Sequence, residues 1–251
     1  MNAQTRGQTT IRTMVKSVAG RIYAPFLRGV DVRRWPPIAA RVFGLSLPRA
    51  ILPNPAPSPY GAANINIILE LLDRVSLVQG GVAECGVYRG STLVPLALHL
   101  QGTGKRVFGF DSFQGFTDED LEELSCEDKS GADFRGNFRD TSYELVRNKL
   151  RLFALEDVQL YRGYFQDSLP KCSSERFSFA HLDCDLYGSY RDCLTFFYPR
   201  MNPGGIVLFD EYNDPPWPGC NAAVDEFLAG KSEQLEMIER QNFQKFFFVK
   251  S

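Results

Sequence analysis

From about residue 64 to the end of this 251-residue chain, short apolar runs alternate with helical segments, and several runs close on an acid. V-A-E-C-G-V at 82–87, R-V-F-G-F-D at 106–111, V-Q-L-Y at 158–161, F-S-F-A-H-L-D at 177–183 and G-I-V-L-F-D at 205–210 read as strands. A helix is expected at 64–76, where Ile65, Ile68, Leu71, Leu72 and Val75 form an apolar face. Further helical segments fall at 91–100, 141–153, 188–200 and 221–230. Strands alternating with helices imply βαβ units, a mostly parallel sheet, right-handed crossovers and helices on both faces. At the end, L-E-M-I-E-R and F-Q-K-F-F-F-V-K flank Gln241-Asn242 and read as a hairpin, so one antiparallel C-terminal strand closes this α/β sheet. A domain of this length buries about three quarters of its unfolded surface, so a large core is available.

Charge divides the chain. Residues 1–50 hold nine Lys or Arg and one acid, whereas residues 51–251 hold nineteen and twenty-nine. The net formal charge of −2 argues against nucleic-acid binding through bulk positive charge. Within the basic part, Ile11, Met14, Val15, Val18 and Ile22 share a helical face, and Arg12, Lys16 and Arg21 fall off it. A helix packing on the body or on a second subunit is expected there, with membrane-surface contact as the lesser reading. Pro53, Pro55, Pro57 and Pro59 make a stiff connector. The division is therefore a basic N-terminal extension at 1–60 and a catalytic body at 61–251. The polar, acidic stretch at 117–137 reads as a long loop or lid.

Six cysteines at 85, 126, 172, 184, 193 and 220 form no CxxC pair and no zinc spacing. A reduced, cytoplasmic protein is the simplest expectation, although the Arg-rich, acid-poor N-terminus also has the composition of a mitochondrial transit segment. No apolar run approaches the roughly 18 residues of a membrane span.

In open α/β sheets, ligands bind outside the carboxyl ends of the strands. Glu84 lies in the first strand and G-V-Y-R-G-S at 86–91 follows it. Two glycines there let backbone approach a ligand, or simply make a tight turn. Asp111 ends the second strand, where an acid accepts hydrogen bonds from ribose hydroxyls or caps a helix. In G-Y-F-Q-D-S-L-P at 163–170, Asp167 and Ser168 either face an adenine or form a capping turn. The densest constellation pairs H-L-D-C-D-L-Y-G-S-Y at 181–190 with F-D-E-Y-N-D at 209–214. Asp183 and Asp210 end neighbouring strands and Glu211 follows at once, an oxygen-only set that suits Mg²⁺, Mn²⁺ or Ca²⁺. Asp185 is free to act as a general base. The alternative is that these acids cap helices or pair with Arg191 and Arg200. His181 and His99 read as satisfied core histidines.

These motifs, in this order and with P-G-G-I-V-L-F-D-E-Y, resemble the macrocin O-methyltransferase (TylF-type) family of class I S-adenosylmethionine-dependent methyltransferases. The resemblance runs from about Asn64 to the C-terminus. It implies a Rossmann-like methyltransferase sheet and Mg²⁺-dependent methylation of sugar hydroxyls. By the same resemblance Glu84, Gly86, Tyr88, Gly90 and Ser91 hold the methionine part of the cofactor, Asp111 and Ser112 the ribose, and Asp167 and Ser168 the adenine. It makes Asp183, Asp210 and Glu211 metal ligands and Asp185 the general base. Two departures stand out: Ser91 replaces a frequent Gly, and Glu211 replaces an Asp.

The expectation is therefore an S-adenosylmethionine- and Mg²⁺-dependent O-methyltransferase for a small glycoside or other vicinal diol. A homo-oligomer is also expected, with the basic extension as a lid or dimer arm. Catechol-like acceptors suit the same chemistry, and a fold-retaining interaction protein is the reading of a different class. A nicotinamide dehydrogenase is disfavoured, since the glycine turn lacks the dinucleotide pattern.

Overall fold

The computed structural model describes residues 59–117, 128–129, 137–240 and 243–251. The helix expected at 11–27, nearly all of the basic extension and most of the loop at 117–137 lie outside the described residues. Among the described residues the strands are β1 (Gly81–Cys85), β2 (Val107–Asp111), β3 (Gln159–Arg162), β4 (Phe177–Leu182), β5 (Met201–Phe209), β6 (Glu236–Arg240) and β7 (Phe243–Val249). The helices are α1 (Pro59–Arg74), α2 (Leu93–Leu100), α3 (Tyr143–Leu152), α4 (Phe165–Ser168), α5 (Tyr187–Phe197) and α6 (Pro218–Leu228).

The strands form one sheet in the order β3-β2-β1-β4-β5-β7-β6. All neighbours from β3 to β5 pair in parallel, and β7 runs against both β5 and β6. One reversed strand thus closes a Rossmann-like sheet, as the C-terminal hairpin pattern anticipates. The W-P-G-C-N stretch at 217–221 opens α6, with Pro218 at its first position. A proline is tolerated there because the first helical N–H has no intrahelical partner. No helix of the described residues is long and apolar enough to cross a membrane.

Period-two alternation splits the strand side chains into two apolar layers. In β5, Ile206 and Leu208 join Ile67, Leu71, Leu93, Leu150, Phe179 and Phe247 on the face covered by α1, α2 and α3. Val207 and Phe209 join Phe110, Phe177, Tyr190, Phe197 and Phe248 on the opposite face, covered by α5 and α6. Both faces of the central strands are therefore buried, which explains why they read as continuous apolar runs.

The topology places the site. The chain builds β1, β2 and β3 outward in one direction, then returns to add β4 and β5 on the other side of β1. Main-chain hydrogen bonds continue one residue beyond the strands, from Gly86 N to Phe110 O, Asp183 N to Cys85 O and Asp210 N to Leu182 O, each 2.9 Å. Residues 86, 183 and 210 consequently end at one level beside the reversal point.

Phe177 is fully buried and meets Phe108 and Phe197 edge-on at centroid distances of 5.4 and 4.9 Å. Phe177→Ala should cost about 3–5 kcal/mol through lost transfer energy and a cavity. Urea unfolding measures it, and a loss below about 1 kcal/mol would contradict the packing described.

Candidate active site at the reversal point of the sheet

A cavity of about 200 Å³ opens at the carboxyl ends of the strands, lined by Gly86, Tyr88, Asp111, Ser112, Asp183 and Asp185 among others. Gly86 has φ +87°, and a Cβ there would lie 1.5 Å from the Asp183 carbonyl oxygen. Only glycine lets the first turn cross so close to β4. Tyr88 follows at φ +48°, an uncommon conformation for a residue with a side chain. Thr141 Oγ1 donates to its carbonyl, and its hydroxyl donates to Asp140.

Asp111 takes the Tyr88 N–H on Oδ2 at 2.6 Å and the Phe113 N–H on Oδ1 at 2.5 Å. Burial nevertheless holds its carboxyl above the usual range against those donors. Glu84 lies on β1 with only 1% exposure, and its Oε2 has no partner among the described residues. Ser168, fully buried at the end of α4, likewise has an unpartnered hydroxyl among the described residues. Two orphaned buried polar atoms cost free energy until a ligand engages them. An ammonium group suits the first and a heteroaromatic base the second, so these residues fit S-adenosylmethionine. Glu84, Gly90, Ser91, Asp167 and Ser168 do not line the cavity, and Ser91 and Asp167 are exposed. Tyr164, Phe165 and Gln166 line it instead on the α4 side.

The carboxylates converge on the other side. Oxygens of Asp183, Asp185 and Glu211 lie within 4.8 Å of one another. Asp185 sits at φ +62°, and its N–H donates to Glu211 Oε2 at 3.4 Å. Tyr190, fully buried in α5, has its hydroxyl within donating reach of both Glu211 Oε2 and the Leu182 carbonyl. Burial and the neighbouring charges of Asp210 and Glu211 push Asp183 well above the usual carboxylate range. Burial and Glu211 do the same to Asp185, while burial and Asp210 raise Glu211. Crowded anions of this kind favour a cation between them, and hard oxygen donors select Mg²⁺ or a similar ion. The expected competitors are engaged elsewhere: Arg191 pairs with Asp192, and Arg200 donates to the Ser173 and Phe196 carbonyls.

Asp210 stands differently. Its Oδ1 forms an ion pair with Lys245 Nζ at 2.5 Å and accepts hydrogen bonds from Asn64 Nδ2 and His181 Nε2, each at 3.2 Å. Against its burial, the Lys245 charge and the His181 hydrogen bond hold this carboxyl well below the usual range. His181 is fully buried and spans Glu84 Oε1 and Asp210 Oδ1 through its two ring nitrogens. Burial pulls the imidazole down, but Asp210 and Glu84 together outweigh it and raise it to about 9. His99 contacts Asp73 through Nε2 at 2.9 Å, so each histidine has a carboxylate partner. Sequence reasoning missed Lys245 and Asn64, which belong to no motif. A lysine inside an aromatic-rich strand was the available signal, because lysine is almost never fully buried unpaired.

A histidine raised from 6.5 to about 9 contributes stability that is complete below its unfolded value and is lost as pH rises through about 9. Thermal unfolding of wild type should therefore weaken between about pH 7 and pH 10 relative to His181→Gln, whose profile stays flatter there. Parallel profiles would contradict the bridge. Gly86→Ala should destroy cofactor binding in calorimetry, since its methyl meets the Asp183 carbonyl.

The model of the Macrocin-O-methyltransferase (TylF) family matches residues 51–247. The demethyldecarbamoylnovobiocin O-methyltransferase of Streptomyces niveus is 34% identical over 170 residues, covering 65% of this chain and 64% of that protein. The alignment thus spans less than two thirds of that relative's length. The mycinamicin III 3''-O-methyltransferase of Micromonospora griseorubida is 33% identical over 174 residues, covering 65% and 67%. Among solved structures, the O-methyltransferase NovP superposes with a TM-score of 0.71 at 27% identity, over 92% of this chain and 99% of that one. A match across most of the described fold, carboxylate edge included, places this chain in the macrocin O-methyltransferase (TylF) family.

Proposed function

We propose that the protein is an S-adenosylmethionine- and Mg²⁺-dependent O-methyltransferase acting on a hydroxyl of a small glycoside or similar vicinal diol. The observation that carries this reading is the convergence of Asp183, Asp185 and Glu211 beside the cavity bordered by Gly86 and Asp111. The glycoside class is drawn from relatives, one of which is named for methylating a rhamnosyl group of a tetracenomycin. Buried free thiols at Cys85, Cys172, Cys184, Cys193 and Cys220 suit a reducing, cytoplasmic setting.

When bound, the cofactor supplies an electrophilic methyl group and the cation supplies positive charge that makes a hydroxyl easier to deprotonate. Glu84 Oε2 would accept from the cofactor's ammonium, and Asp111 from its ribose hydroxyls. Asp183 and Glu211, whose oxygens converge with those of Asp185, would hold the cation, and Asp210 would join them. Asp185, which lines the cavity beside these acids, takes the proton of the attacking hydroxyl. The remaining work is alignment of acceptor and methyl group.

The test is incubation of the full chain with labelled S-adenosylmethionine and a panel of glycosides and diols, with Mg²⁺ or with EDTA. One panel member should gain a single methyl group, and EDTA should abolish the gain. Asp185→Asn should lower kcat by about 10²–10⁴-fold, as expected for loss of a positioned base. Asp183→Asn should remove activity and cation dependence together. Full turnover in EDTA refutes the cation role, and absence of any product across the panel refutes the glycoside reading.

A further inference from the structure

Lys245 lies on the reversed strand β7, and its side chain is only 3% exposed. The β5–β7 register pairs Phe209 with Phe246, which brings the next residue of β5 and the previous residue of β7 side by side. Lys245 Nζ stands 2.5 Å from Asp210 Oδ1 and donates to the main-chain carbonyl of the same residue at 2.6 Å. One ammonium therefore holds both the side chain of Asp210 and the peptide that leads into Glu211. The contacts from Asn64 and His181 also converge on Oδ1, which leaves Oδ2 outside these three contacts.

We propose that Lys245 is a positioning residue for the divalent-cation site, fixing the direction of Asp210 Oδ2 and the entry to Glu211. The inference rests on the reading of Asp210 and Glu211 as cation ligands. Two physical effects oppose each other here, and they differ in sign. A lysine acting only through its charge repels a second cation, so its removal tightens cation binding. A lysine acting as a clamp keeps two neighbouring ligands in register, so its removal weakens cation binding. The double grip on one residue favours the clamp: charge neutralisation needs only the carboxylate contact, whereas the carbonyl contact orients the chain. Partners that orient metal ligands from outside are worth about 10–100-fold in metal affinity.

The experiment titrates Mn²⁺ into the full-length wild type and Lys245→Met by calorimetry, with S-adenosylhomocysteine titrated in parallel. The clamp predicts Mn²⁺ binding weaker by about tenfold or more in the variant, with S-adenosylhomocysteine affinity within about twofold of wild type. Unchanged or tighter Mn²⁺ binding by a folded Lys245→Met protein overturns the proposal. Should that variant not fold, Lys245→Gln retains an N–H donor for the carbonyl and carries the same expected direction. A wild type that shows no saturable Mn²⁺ binding sinks the cation reading itself, which separates that failure from failure of the clamp.

Discussion

Four side chains of alternating charge, the buried Glu84, His181 and Lys245 and the half-buried Asp210, run across β1, β4, the end of β5 and β7 on one face of the sheet. Each strand end beside the cavity is tied to its neighbour through this row. A buried charge without a partner costs several kcal/mol, so the row constrains register more sharply than apolar packing alone. Sliding β7 by one residue would turn Lys245 to the other face and strand Asp210 among apolar groups. Strand register, carboxylate orientation and the position of the first turn are therefore one problem, solved together.

The same edge contains carboxylates treated in two ways. Asp210 is neutralised internally, and its carboxyl is held low by Lys245 and His181. No lysine or arginine forms an ion pair with Asp183, Asp185 or Glu211 among the described residues, and burial together with crowding pushes all three up. The contrast separates a carboxylate oriented by internal partners from acids that crowd one another. It also explains why a sheet this apolar tolerates so many acids at one end: each negative charge is either matched inside the protein or gathered where a bound cation can match it.

Much of this was legible in the sequence, because the strands are apolar on both faces and their acids fall at the ends. Asp111, Asp183 and Asp210 could be placed by counting along single runs. The histidine at 181 could be recognised as satisfied, though not by which partners. Lys245 was illegible for a physical reason: its role depends on pairing between β5 and β7, 35 residues apart in the chain. Asn64 was hidden likewise, since α1 reads as an apolar packing helix and its contact with Asp210 spans 146 residues. Local patterns report which face a residue occupies; they do not report what lies across it.

The insertion of β7 beside β5 has a consequence for biosynthesis. Asp210 leaves the ribosome well before Lys245, so the emerging chain carries its acidic edge before it carries the charge that neutralises part of it. Domains generally fold as units. Here β7 follows β1, β4 and β5 in the chain and completes the central charge row, so the nascent chain cannot settle its register before residue 245 is available.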